Sequence, residues 1–211
     1  WQEAALGHRT ETHATLTPRV GGIYCWSTVA EWGTDEISYQ IANNGYPVIL
    51  CNVNNFYLDL AYDPHTDEPG HFWAGYVDES KSFSMLPYRV YRSSRTTMAG
   101  HPVSPDSMEI GKTVLTASGK QRIKGVQAQL FTETIRNYQQ VEYYTFPKIM
   151  GLAERGWNAH PVWESLSGNT EAQAYEQDLI QFYRKISRKE MPHWALPSSE
   201  RRKAICQHFH S

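Results

Sequence analysis

Two short stretches of this chain end an apolar run with an aromatic ring and, two positions later, a carboxylate. Residues 47–53 lead through Asn54, Asn55 and Phe56 into Tyr57-Leu58-Asp59, and residues 125–130 lead into Phe131-Thr132-Glu133. In a strand, residues i and i+2 project from one face, so each stretch would offer a ring and an acid to the same cavity. A ring packs on the C–H face of a sugar, while a carboxylate accepts hydrogen bonds from hydroxyls, including pairs of them. The repetition, with Trp1, Trp26 and Trp73 beside it, points to a carbohydrate site. The competing reading is that alternating aromatic and polar residues only mark half-buried strands.

The bulk properties set limits on these readings. A chain of 211 residues with 40% hydrophobic and 20% charged residues fits a soluble globular protein of one large domain or two small ones. A net charge of -2 gives no reason to expect nucleic acid or an anionic membrane as partner. No stretch is long and apolar enough to span a bilayer, and no signal peptide is visible. The chain opens on Trp1 without an initiator Met, so it is expected to be a piece of something longer. Three cysteines make no disulfide framework; Cys25 and Cys51 fall in apolar runs and read as buried free thiols. Cys206, His208 and His210 read as a solvated terminus rather than a metal site. Asp63, His65, Asp67, Glu68 and His71, interrupted by Pro64 and Pro69, read as a turn-rich loop.

The elements that must position these residues alternate strand and helix. Residues 22–26 read as a strand; Thr34 caps a helix carrying Ile37, Ile41 and Ala42, which stops at Asn44-Gly45. Residues 47–53 read as a buried parallel strand, and residues 125–131 as a later one. Between them, residues 62–124 form an irregular insert, with one short helix in residues 78–92 and a hairpin around Ser118-Gly119. Asn137 caps a helix whose apolar face comprises Val141, Phe146, Ile149, Met150, Leu152, Ala153 and Trp157, kinked or restarted at Pro147. A C-terminal helix covers residues 171–190. This order predicts an α/β architecture with parallel strands, either a (β/α)8 barrel carrying its site on the strand-end rim or a doubly wound sheet.

At these same residues the chain resembles the β-N-acetylhexosaminidases of glycoside hydrolase family 20. The matching stretches are Trp1-Gln2-Glu3, Tyr24-Cys25-Trp26, Asn55-Phe56-Tyr57-Leu58-Asp59, Asp67-Glu68-Pro69-Gly70-His71-Phe72-Trp73 and Gln127-Ala128-Gln129-Leu130-Phe131-Thr132-Glu133-Thr134. Phe146-Pro147-Lys148 and Leu152-Ala153-Glu154-Arg155-Gly156-Trp157 continue the series. The resemblance implies that residues 1–211 are one domain, the C-terminal part of a partial (β/α)8 TIM barrel with parallel strands about 5–8. It implies retaining hydrolysis of terminal N-acetylhexosamine from oligosaccharides or glycoconjugates, with the substrate's own acetamido oxygen as nucleophile. Neither cofactor nor metal is implied, and the parent would be extracytoplasmic.

Residue by residue, Tyr57 matches the tyrosine that orients the acetamido group. Asp59 and Glu133 match acids that hold outer hydroxyls of the terminal sugar. Trp1 and Trp26 match walls of the acetamido pocket, and Trp73 an aromatic platform for a second sugar. Phe131 stands where the family usually has Trp, losing area and an N–H donor. The family's catalytic Asp-Glu pair has no match: Asp35-Glu36 and Asp67-Glu68 lie in other contexts, so the chain alone is expected to be inactive. Two alternatives remain open. One is a carbohydrate-binding module that has lost hydrolysis; the other is a different barrel glycosidase using Asp59 and Glu133 as acid and nucleophile. A missing upstream half would also leave strand edges open to homo-oligomerisation.

Overall fold

A computed structural model describes residues 1–6 and 20–190 of the chain; Cys206, His208 and His210 lie outside them. Helix α1 (Gln2–Leu6) precedes strand β1 (Ile23–Cys25), helix α2 (Ile37–Asn43) and strand β2 (Val48–Leu50). Then come α3 (Val53–Phe56), α4 (Glu79–Ser84), α5 (Ala117–Lys120) and strand β3 (Ile123–Val126). Helices α6 (Tyr138–Thr145), α7 (Lys148–Trp157) and α8 (Gly168–Lys185) follow, and α8 runs on as a π-helix over Ile186–Glu190.

The three strands form one parallel sheet in the order β1-β2-β3. Ile23 pairs with Val48 and Cys25 with Leu50, and all four are buried. Parallel neighbours need a crossover, and α2 supplies the first: Ile37, Ile41 and Ala42 pack on the sheet together with Phe56 and Met85. Its end is built as expected. Gly45 has φ 91°, and the N–H groups of Gly45 and Tyr46 donate back to Ala42 and Ile41. The α/β class is thus observed, with three parallel strands among the described residues where about four were expected.

Several expectations need correction. Residues 47–53 are not all strand: the Asn52 carbonyl accepts from Phe56 N at 2.7 Å, turning the chain into α3. Thr34 does not cap α2, because its hydroxyl is engaged by Ser27 at 2.6 Å. No hairpin forms around Ser118-Gly119. Asn43 Oδ1 accepts from Thr116 N at 2.9 Å, Thr116 Oγ1 accepts from Gly119 N at 2.9 Å, and the capped turn becomes α5. Regular strand after it stops at Val126, short of Phe131.

The largest correction concerns α7. Asn137 does cap α6, and the helix does restart beyond the cis Phe146-Pro147 bond. Yet the buried residues of α7 are Lys148, Gly151 and Arg155, while Ala153 is exposed and Trp157 is 94% exposed. The buried stripe is polar because α7 lies against α4 at backbone distance. A Cβ on Gly151 would stand 2.4 Å from Phe83 N and 2.6 Å from the Ser82 carbonyl carbon. Ser82 Oγ closes the contact by donating to Lys148 O at 2.7 Å. Gly151→Ala should therefore cost about 1–3 kcal/mol or more through overpacking. The check is a urea unfolding midpoint lowered at unchanged slope; a wild-type midpoint would contradict the contact.

Candidate functional site

The two aromatic–acid stretches meet through a fragment of parallel pairing beyond the regular strands. Gln129 N donates to Phe56 O at 2.9 Å, and Leu58 N donates to Gln129 O at 2.8 Å. Tyr57 is extended, with φ -84° and ψ 96°, where α3 ends. The turn of α3 is itself fixed from below: Asn55 Nδ2 donates to the carbonyls of Lys81 and Ser93. Downstream, Ala61 N donates to His71 O at 2.8 Å, which holds the segment after Asp59.

Rings gather around Tyr57. Its centroid lies 5.3 Å from Phe131, 6.2 Å from Trp26 and 6.0 Å from Trp73. Trp26 and Trp73 meet edge to face at 6.0 Å. Trp73 is 42% exposed and Phe131 37% exposed, so this is a surface wall rather than core. Trp1 stands apart: it is 50% exposed and its ring contact is with Tyr24 at 6.1 Å. Its helix nevertheless touches the wall, since Gln2 Oε1 accepts from Trp26 N and Glu3 Oε1 from the Trp26 indole N–H.

Asp59 is buried below the wall, and its Oδ1 accepts from Phe131 N at 3.1 Å. Burial raises its carboxyl above the usual aspartate range; the Phe131 N–H counteracts this, and the Glu133 charge adds to the rise. Glu133 is exposed but close enough to be felt. Burial likewise raises the Tyr57 phenol, with smaller contributions from Cys51 and Asp59, so it stays protonated and able to donate. Tyr57, Asp59, Phe131, Trp26 and Trp73 thus form one cluster with Glu133 beside it.

Two participants escaped the sequence reading. Trp32, 40% exposed, lies nearly parallel to Trp73 at 6.0 Å and extends the wall. It sits in a short 3-10 turn ended by Gly33 at φ 67°, and no local pattern marks it. Lys148, fully buried, donates from Nζ to Leu58 O at 2.9 Å and to Leu60 O at 2.6 Å. Its only signal was an unassigned place in the Phe146-Pro147-Lys148 stretch.

Asp35, Glu36 and Glu68 make their contacts outside the cluster. Asp35 pairs with Lys112 at 2.9 Å, and Glu36 accepts from Thr113 N at 2.7 Å. Glu68 accepts from Tyr62 N at 3.1 Å and from the Tyr143 hydroxyl at 2.6 Å. The loop around it is tied by its own turns, His65 N donating to Asp63 Oδ1 and Asp67 N to His65 Nδ1. Cys25 and Cys51 are buried free thiols, both shifted upward chiefly by burial.

Residues 1–160 match glycosyl hydrolase family 20, catalytic domain, and the chain belongs to that family. It is 30% identical over 159 residues to a β-hexosaminidase of Vibrio vulnificus, covering 75% of this chain and 18% of that protein. An N,N'-diacetylchitobiase of Vibrio harveyi is 30% identical over 141 residues, 65% of this chain and 15% of the relative. Among solved structures, the GH20 β-N-acetylhexosaminidase from Streptomyces coelicolor A3(2) is 22% identical over 82% of this chain and 27% of that one, with TM-score 0.47. The chain spans less than a fifth of the length of the two Vibrio relatives.

The upward shift of Asp59 has a thermodynamic consequence. A carboxyl raised in the folded state costs stability as pH climbs from its unfolded value, about 4, through the folded one; below that window the cost is absent. Asp59→Asn keeps the acceptor for Phe131 N and removes the charge. Its stability relative to wild type should therefore rise between pH 4 and pH 7 in urea unfolding. A relative stability that falls over the same interval would contradict this assignment of the charge.

Proposed function

We propose that these residues form the sugar-binding side of a β-N-acetylhexosaminidase that removes terminal non-reducing N-acetylhexosamine with retention of configuration. The observation that carries this reading is the contact set around Phe131. Its ring meets the Tyr57 ring at 5.3 Å, and its N–H holds the Asp59 carboxylate at 3.1 Å, which joins both aromatic–acid stretches in one place. Family membership supports the chemistry.

In this reading the neutral Tyr57 hydroxyl donates to the acetamido oxygen and turns it toward the anomeric carbon. Attack by that oxygen on the anomeric carbon breaks the glycosidic bond, the leaving oxygen taking a proton from the general acid, and forms a cyclic intermediate. Water then attacks the anomeric carbon, losing a proton to the same acid's conjugate base, and reopens the ring with net retention. Asp59 and Glu133 accept hydrogen bonds from outer hydroxyls of the terminal ring. Trp26 and Trp1 wall the acetamido side, Phe131 forms the floor, and Trp73 offers a face to the next sugar. The general acid is placed outside these residues: Asp35-Glu36 is engaged by Lys112 and Thr113, Glu68 by Tyr62 and Tyr143, and Asp78-Glu79 starts α4, where Asp78 caps the helix and Glu79 is buried. The parallel sheet is then part of a (β/α)8 barrel completed by the rest of the parent protein.

The exposed Phe131 floor favours a second reading, a sugar-binding module derived from a glycosidase. Hydrolysis of a chromogenic N-acetyl-β-glucosaminide separates the two. A longer form that includes the upstream half of the barrel should turn the substrate over, and residues 1–211 alone should not. In the longer form Tyr57→Phe should lower kcat on the order of a hundredfold, as loss of one preorganised donor does, with little change in KM. Turnover by the chain alone would contradict the placement of the acid, and binding without turnover by the longer form would favour the module.

A further inference from the structure

We propose that Lys148 is a positioning residue for sugar recognition: by holding the carbonyls on either side of Asp59, it fixes the direction in which that carboxylate meets the substrate. The inference rests on the reading of Asp59 as a hydroxyl-binding acid. Lys148 Nζ donates to Leu58 O at 2.9 Å and to Leu60 O at 2.6 Å, the carbonyls of the two residues that flank Asp59. Rotation of either peptide plane would swing the Asp59 side chain, and one ammonium opposes both rotations. Gly70 closes the same segment, since a Cβ there would stand 2.8 Å from Asp59 O and 2.9 Å from Ala61 N.

The ammonium is housed for this task. Its Nζ lies 3.7 Å from the Tyr62 ring centroid and 5.6 Å from that of Tyr144, a cation–π setting. Tyr62 is held by its own hydroxyl, which donates to Tyr143 O at 2.8 Å. Burial pulls the Lys148 pKa down to about 7, while the carboxylates of Glu68, Asp78, Glu79 and Asp59 pull it back up. A role in packing alone would be met at lower cost by an apolar side chain, because an ion taken fully out of water carries a large desolvation penalty. Arg155, two turns further along the same buried stripe of α7, shows the contrast: its guanidinium lies 4.8 Å from the Phe83 ring centroid and 5.7 Å from that of Trp163, rings outside the cluster.

The test is a double-mutant cycle in the full-length enzyme that carries these residues, on chromogenic N-acetyl-β-glucosaminide and its C4 epimer, the galactosaminide. Lys148→Met should lower kcat/KM on the preferred epimer about tenfold or more, the worth of a charge-assisted hydrogen bond, and move the epimer ratio toward one. Because Lys148 acts through Asp59, most of that loss should vanish in an Asp59→Asn background. Additive losses, or an unchanged epimer ratio, would overturn the role of Lys148. An Asp59→Asn enzyme indistinguishable from wild type would instead overturn the reading of Asp59 itself. If Lys148→Met lacks the native circular dichroism, Lys148→Gln, a neutral donor, enters the same cycle, and an unchanged ratio in that folded variant overturns the proposal.

Discussion

The site is organised around a carboxylate that must be kept out of water without being neutralised. Asp59 is buried, and burial alone drives it toward the protonated form. An isolated buried charge is costly unless it is hydrogen-bonded and paired. Here the Phe131 N–H supplies the bond, and the Lys148 ammonium lies behind the flanking carbonyls. Each of these partners makes a demand on the fold. Phe131 must be brought alongside by the Gln129 pairing, and Lys148 must sit at the first turn of α7. Lys148 shares the buried stripe of α7 with Gly151, where the helix meets α4 at backbone distance.

What could be read in the sequence was local, and what could not was tertiary. The aromatic–acid pairing at Tyr57 and Asp59 survives without the strand alternation expected of it: Leu58 and Asp59 lie in a turn closed by Leu60 N donating to Tyr57 O at 3.2 Å, and the Phe131 N–H places the carboxylate. The α2 stop at Asn44-Gly45, the Asn137 cap and the restart beyond Pro147 are likewise carried by neighbours in sequence. The hairpin around Ser118-Gly119 failed for a different reason. The Thr116 cap that replaces it depends on Asn43, a residue brought in by α2 from far along the chain. Helical periodicity judged α7 only in part: Met150 and Leu152 pack on the core as expected, while Ala153 and Trp157 are exposed, since a pattern of apolar side chains says nothing of what the helix packs against. Trp157 is apolar yet 94% exposed, and Lys148 is charged yet fully enclosed. Trp32 shows its place in the wall only through its stacking on Trp73.

Family 20 membership and this geometry divide the labour of the proposed enzyme in a definite way. The described residues provide a ring wall, a protonated phenol and two acids of different exposure, which suits them to hold and orient a sugar. Their Asp-Glu pairs have other work: Asp35-Glu36 serves Lys112 and Thr113, Glu68 ties Tyr62 to Tyr143, and Asp78-Glu79 starts α4 with Asp78 as its cap. Binding and acid catalysis would then come from different stretches of the parent chain and meet at one rim. Such a division asks for a rigid binding side, and the enclosed Lys148, Gly70 and Asn55 contacts give it that rigidity.

The most direct test is a crystal structure of the longer protein with N-acetylglucosamine bound. The account predicts one ring against the Tyr57, Trp26 and Phe131 wall, its acetamido oxygen on the Tyr57 hydroxyl and its outer hydroxyls on Asp59 and Glu133. A sugar seated elsewhere, with Tyr57 and Asp59 untouched, would contradict it.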